Sequence, residues 1–188
     1  MAKKNFEVAV STISGSAFPN FLDITRNVTI EKPYKGRYIK SMLVSLVSEP
    51  FRWVENWKYG KAVRETAIEK DPVFILGHWR SGTTYLHNLI SQDCDMAYVT
   101  TYQSVFPNQL LSSRWLFRTM MNAKMPKKRP ADNVELGADY PQEEEFALGD
   151  VNPFGYYNFW YFPKETKQYC DKYLHLETLT PKQQARWK

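Results

Sequence analysis

Residues 74–90 read FILGHWRSGTTYLHNLI: a short apolar run, a polar loop bounded by two glycines, and a helix-like segment. This stretch constrains the fold more than any other. A strand that passes through a Gly-rich turn into a helix gathers consecutive backbone N–H groups around an anion at the positive helix end. Gly77 and Gly82 stand at the G-x-x-x-x-G spacing of a phosphate-binding loop, and Thr84 takes its hydroxyl position. Thr83, however, stands where a nucleoside-triphosphate enzyme has the lysine that reaches the β- and γ-phosphates. The strong cation of this loop is Arg80, placed earlier, whose forked guanidinium can bind two oxygens of one phosphoryl group. Such a loop suits a nucleotide with a short reactive arm.

The flanking sequence predicts an α/β chain. Val73–Leu76 reads as a buried central strand, with the anion site at its C-terminal end. Residues 82–91 follow as a helix with Leu86, Leu89 and Ile90 on its apolar side, and Met96–Thr101 reads as the next strand. A helix is expected over 108–124, a loop to Pro141, a helix PQEEEFAL ended by Gly149, and a last helix opened by Thr180 and Pro181. Residues 1–37 read as an irregular lead-in and 38–70 as helical, divided by Pro50. Phe51, Val54 and Trp57 form one stripe of the second helix. Packing on its own domain is the plain reading of that stripe, and contact with a membrane surface or a lipid substrate is the functional one. At 188 residues, 38–188 makes one domain: a P-loop-like three-layer fold, its parallel sheet flanked by helices.

A net charge of +5 favours an anionic ligand or surface, while the absence of an arginine-rich arm or zinc-ligand spacing argues against nucleic acid. Cys94 and Cys170 do not make a disulfide framework, and they suit a reducing compartment. The opening MAKKNFEVAVSTISGSAF lacks the continuous apolar stretch of a signal peptide, and no apolar run is long enough to span a membrane. A cytoplasmic protein is expected, with peripheral membrane contact left open by the stripe above.

PVFILGHWRSGTTYLHNL resembles the 5′-phosphosulfate-binding loop of sulfotransferases, in the branch with an R-S-G-T-T core. RPADNVELGADYPQEEEFAL, 129–148, resembles the R-P-x-D-N-V…P-Q-E-(D/E)-E segment of a mainly microbial sulfotransferase branch. The resemblance implies transfer of a sulfuryl group from 3′-phosphoadenosine 5′-phosphosulfate (PAPS) to a hydroxyl acceptor such as a sterol, lipid or other small alcohol, without a metal. It also implies that Arg80, Ser81, Gly82, Thr83 and Thr84 hold the phosphosulfate, with His78 and Trp79 beside them, and that Arg80 stabilises charge on the departing phosphate. It covers about residues 40–188, the N-terminal part of that domain. The family's later 3′-phosphate-binding segment has no counterpart before Lys188, so the sequence reads as truncated.

Attack on sulfur needs a base. Glu143 and Glu145 are the candidates, favoured over Glu144 by the same resemblance. Three successive residues of a helix stand about 100° apart, so they cannot all face one site. First-turn acids also suit the helix dipole whatever their function, and Glu143 can serve as a cap. His87 and His175 read as structural, and Arg129 with Asp132 as an internal salt bridge. The aromatic stretch 152–162 is open to two readings, a wall for an apolar acceptor or plain core. Two rival functions stand beside the sulfotransferase: a non-catalytic remnant or nucleotide-binding module, and a P-loop nucleotide kinase.

Overall fold

The structure is a computed structural model that describes residues 11–128, 134–173 and 179–187. Helices dominate it. The lead-in expected to be irregular holds a 3-10 turn, Thr12–Gly15, and helix α1, Phe18–Thr25, with Pro19 in its first turn. Its apolar signal is sparse because much of what it buries is polar. Ile13, Phe21 and Ile24 form a small core with Tyr38, Met42, Tyr161 and Phe162 against it, while Ser14, Ser16 and Asn20 are equally buried.

Pro50 does not divide the next helix. Helix α2, Lys35–Glu65, runs through it as one element of 31 residues. A proline in a helix interior removes one hydrogen bond and crowds the carbonyl four residues back. Here tertiary contacts hold the chain on the N-terminal side of the proline. Ser45 Oγ donates to the Ser16 carbonyl at 2.7 Å, and the Phe18 N–H donates to Glu49 Oε1 at 2.6 Å. Arg52 grips the same carboxylate from one turn further on, at 2.5 Å. Met42, Leu43, Leu46 and Val47 recur at helical spacing, but only Met42 packs inward; Leu43, Leu46 and Val47 point outward, and the helix buries Ser41, Ser45, Ser48 and Glu49.

Helices α3 (Thr83–Ile90), α4 (Thr101–Val105), α5 (Arg114–Lys124) and α6 (Glu144–Val151) follow. A second core gathers Tyr102, Phe106, Phe117 and Ala138, with Phe51 of α2 meeting Phe117 edge-on at 5.2 Å between ring centres. The chain closes with α7 (Thr166–Tyr173) and α8 (Pro181–Trp187). The start of α8 is the one expected: the Thr180 N–H donates to Gln183 Oε1 at 2.9 Å, a reciprocal cap.

Both expected strands are absent. Val73–Leu76 forms no strand and is unpaired, with Leu76 90% exposed. Met96–Thr101 contributes only one isolated antiparallel bridge, Thr100 to Pro141, and Thr100 is spent on capping α4. Among the described residues there is no parallel sheet, only that bridge and one between Lys128 and Glu135. A parallel strand takes its stability from paired neighbours and covered faces, and residues 73–76 have no pairing partner here. Helix α5 also starts later than expected, after turns over 107–113, and α6 starts at Glu144 rather than Pro141. Pro141 is held extended by its bridge, and the Gln142 N–H donates to the Val99 carbonyl at 2.8 Å. Gly149 does not end α6; it lies inside the helix, buried against Asn158.

A polar seam joins α1 to α6. Ser16 Oγ donates to the Asp150 carbonyl at 2.9 Å, and Asn20 Nδ2 reaches the Gly149 and Asp150 carbonyls at 3.1 and 3.0 Å. The Asp150 side chain is fully buried, and burial holds its acid well above the ordinary range. The folded state therefore binds a proton that the unfolded chain releases, so stability declines from about pH 4 upward until the folded acid ionises. Asp150→Asn, which cannot ionise, is expected to gain on the parent over that rise, at up to about 1.4 kcal/mol per pH unit. Urea melts of both proteins across the acidic range would show the curves diverging; parallel curves would refute it.

Candidate functional site

The loop before α3 is built by backbone conformations that few residues adopt. Gly82, the N-cap of α3, has φ 95°, and Arg80 has φ 65°. The left-handed region is natural for glycine but costs an arginine about 1 kcal/mol or more, and such strain gathers at functional sites. The Ser81 N–H closes the turn on the His78 carbonyl at 3.1 Å. The loop then folds back so closely on Gly77 that a β-carbon there would stand 2.6 Å from Thr83 Cγ2 and 2.8 Å from Ser81 Oγ. A side chain there would have to displace both.

This curl places Arg80, Ser81, Gly82, Thr83 and Thr84 around the start of α3. The first helical bond runs from the Leu86 N–H to the Gly82 carbonyl at 3.0 Å, and the N–H groups of Thr83, Thr84 and Tyr85 have no acceptor within the helix. Trp79, Arg80 and Ser81 are exposed, and Thr83 and Thr84 half-buried. His78 folds back, its Nδ1 2.9 Å from the Trp79 carbonyl oxygen. Positive φ, hydroxyls, open helix-end amides and a guanidinium fit an anion of phosphate size.

A cleft of about 210 Å³ begins at this loop. Thr84 and Asn88 line it together with Thr101, Tyr140, Pro141 and Gln142. The two motif segments thus border one cavity, because the Thr100–Pro141 bridge brings the second beside α3. Glu143 follows as the N-cap of α6, but its side chain does not cap. Its Oε2 accepts a hydrogen bond from the Tyr157 hydroxyl at 2.8 Å. Glu143 and Glu145 are half-buried and Glu144 exposed.

Tyr157 and the threonine at 101 are the residues that sequence reasoning missed. The signal for Tyr157 was a hydroxyl in a run read only for its rings. That run divides in the structure. Phe154 is buried and Tyr161 and Phe162 join the first core, while Tyr157 packs on Phe146 with ring centres 5.0 Å apart. His87 sits on the flank of α3, edge-on to Tyr98. Arg129, Asp132 and His175 lie outside the described residues. Among the described residues no group of three or more His, Cys, Asp or Glu could hold a metal ion, and no helix is long and apolar enough to cross a membrane.

A family model described as the sulfotransferase family matches residues 72–180. The chain belongs to that family, as part of its domain. Two curated relatives, each an omega-hydroxy-beta-dihydromenaquinone-9 sulfotransferase Stf3, come from Mycobacterium bovis (strain ATCC BAA-935 / AF2122/97) and Mycobacterium tuberculosis (strain CDC 1551 / Oshkosh). Both are 36% identical over 130 residues, which is 69% of this chain and 33% of the relative. The chain thus spans about a third of the length of the curated relatives it matches. No solved structure matches it.

Proposed function

We propose that residues 38–188 correspond to the N-terminal part of a PAPS-dependent sulfotransferase domain of P-loop-like, parallel-sheet layering. The single observation behind this reading is the loop 77–84, which carries a guanidinium and three hydroxyls at a helix start, in a chain of the sulfotransferase family. PAPS would supply an activated sulfuryl group on a single phosphosulfate arm. His78 to Thr84 would hold that arm, the amides at the start of α3 facing its oxygens. Arg80 would neutralise the phosphate as the bridging oxygen takes the electron pair of the breaking S–O bond.

Glu143 would accept the proton of the acceptor hydroxyl as its oxygen bonds to sulfur, with Tyr157 fixing the carboxylate; Glu145 is the alternative base. The relatives' name contains a hydroxylated quinone, which favours a hydroxylated lipid as acceptor here. Cys94 and Cys170 are free thiols, in keeping with a cytoplasmic placement.

Glu143→Gln and Glu145→Gln test the assignment together. Calorimetry with 3′-phosphoadenosine 5′-phosphate (PAP) is expected to give micromolar binding to the parent chain and to both variants. Sulfuryl transfer by the protein carrying one of them is expected to fall on the order of a hundredfold or more. Normal transfer in both variants would remove the glutamates from the mechanism, and no PAP binding by the parent would remove the reading itself.

A further inference from the structure

Helix α2 is packed inside out. It turns Ser41, Ser45, Ser48 and Glu49 to the protein and leaves Leu43, Leu46, Val47, Trp53, Val54 and Trp57 exposed, Trp57 at 83% and Val47 at 66%. The outward residues recur at three- and four-residue steps, so they form one ridge that follows the helix for about 20 Å. Exposed Pro50 lies on the same ridge, between Val47 and Val54.

The charges beside the ridge are biased. Lys40 and Lys58 are exposed and about five turns apart, which sets them on the same border. Lys61 and Arg64, also exposed, close its C-terminal end. The acids of the central helix are turned away and occupied. Glu49 holds the Phe18 N–H and Arg52, and Glu55 accepts from the Leu111 and Ser112 N–H groups at 2.7 Å each. Glu65, at the helix end, lies 3.8 Å from Lys61 in an open pair that water and salt weaken.

We propose that this face of α2 lies on an anionic lipid surface, with Trp53 and Trp57 at headgroup depth and Lys40, Lys58, Lys61 and Arg64 on the phosphates. A ridge of aliphatics with two tryptophans and a basic border has the chemistry of an interfacial helix. A second copy of the chain fits less well: antiparallel pairing on the ridge would set the Lys40 and Lys58 borders of the two copies against each other. The inference rests on α2 alone and stands apart from the sulfuryl-transfer reading, although a membrane-held face suits a lipid acceptor.

Flotation of the 188-residue chain with two kinds of vesicle tests it: phosphatidylcholine alone, and equal parts phosphatidylcholine and phosphatidylglycerol. Binding is expected to the second kind, with a blue shift of tryptophan emission, and to weaken as salt screens the lysines. Lys58→Gln with Lys61→Gln should lower affinity about five-fold per lysine removed. Trp57→Ser, at an 83% exposed position, should sharply weaken both binding and shift while circular dichroism stays unchanged. Equal binding to neutral vesicles, binding undiminished in the tryptophan variant, or no binding at all would overturn the proposal. So would a concentration-dependent dimer that the tryptophan variant dissolves, which would make the ridge a contact between copies.

Discussion

Arg80→Ala is expected to lower the affinity of the chain for PAP on the order of a hundredfold, the usual cost of removing one preorganised donor from a developing anion. The loss should come without unfolding, because the side chain is exposed and the Ser81 N–H closes the turn. Arg80→Gly sharpens the test. It removes the same cation but relieves a left-handed backbone at φ 65°, so it should stabilise the chain by roughly 1 kcal/mol while losing the same affinity. Opposite signs for stability and binding at one position would mark strain held for function. Calorimetry with PAP and a urea melt on each variant give the two numbers; unchanged affinity in both would take Arg80 out of the site.

Glu49→Ala should cost about 3 kcal/mol of folding stability at neutral pH. The residue is 7% exposed, and its carboxylate serves both the Phe18 N–H and the Arg52 guanidinium, with the Trp53 side chain as a further donor. Truncation strands them. Burial pushes this acid up, but the bonds from Arg52 and Phe18 and the arginine's charge outweigh it, so it sits below the ordinary value of 4.5. A depressed acid stabilises the fold fully above the unfolded pKa, and that contribution is lost as pH falls through the folded one. The gap between parent and variant should therefore be widest near neutrality and shrink below about pH 4. A gap constant with pH would mean that packing alone is at work.

The phosphate-type loop could be read in the sequence because everything that shapes it is local. Gly77, Arg80, Gly82 and the hydroxyls are close neighbours in the chain, and the turn they make needs little from elsewhere. The cap at Thr180 is legible for the same reason. What could not be read depends on distant partners. Residues 73–76 have the composition of a strand, yet pairing is a property of two segments, and no described segment pairs with them. Pro141 opens no helix because Thr100, far back in the chain, holds it extended. Helix α2 has an apolar period, but the side it buries was chosen by carbonyls and amides of residues 14–18, which a hydropathy pattern does not register. The Tyr157 hydroxyl reaches Glu143 only through the way the turn after α6 packs back on that helix.

The serine-lined face of α2 has a thermal consequence. Where that helix meets the N-terminal turn, unfolding wets buried hydroxyls as well as hydrocarbon, and polar hydration lowers the heat capacity that apolar hydration raises. The curvature of stability with temperature then comes from the two apolar clusters, around Phe117 and around Phe21, while the serine contacts of α2 add little to it.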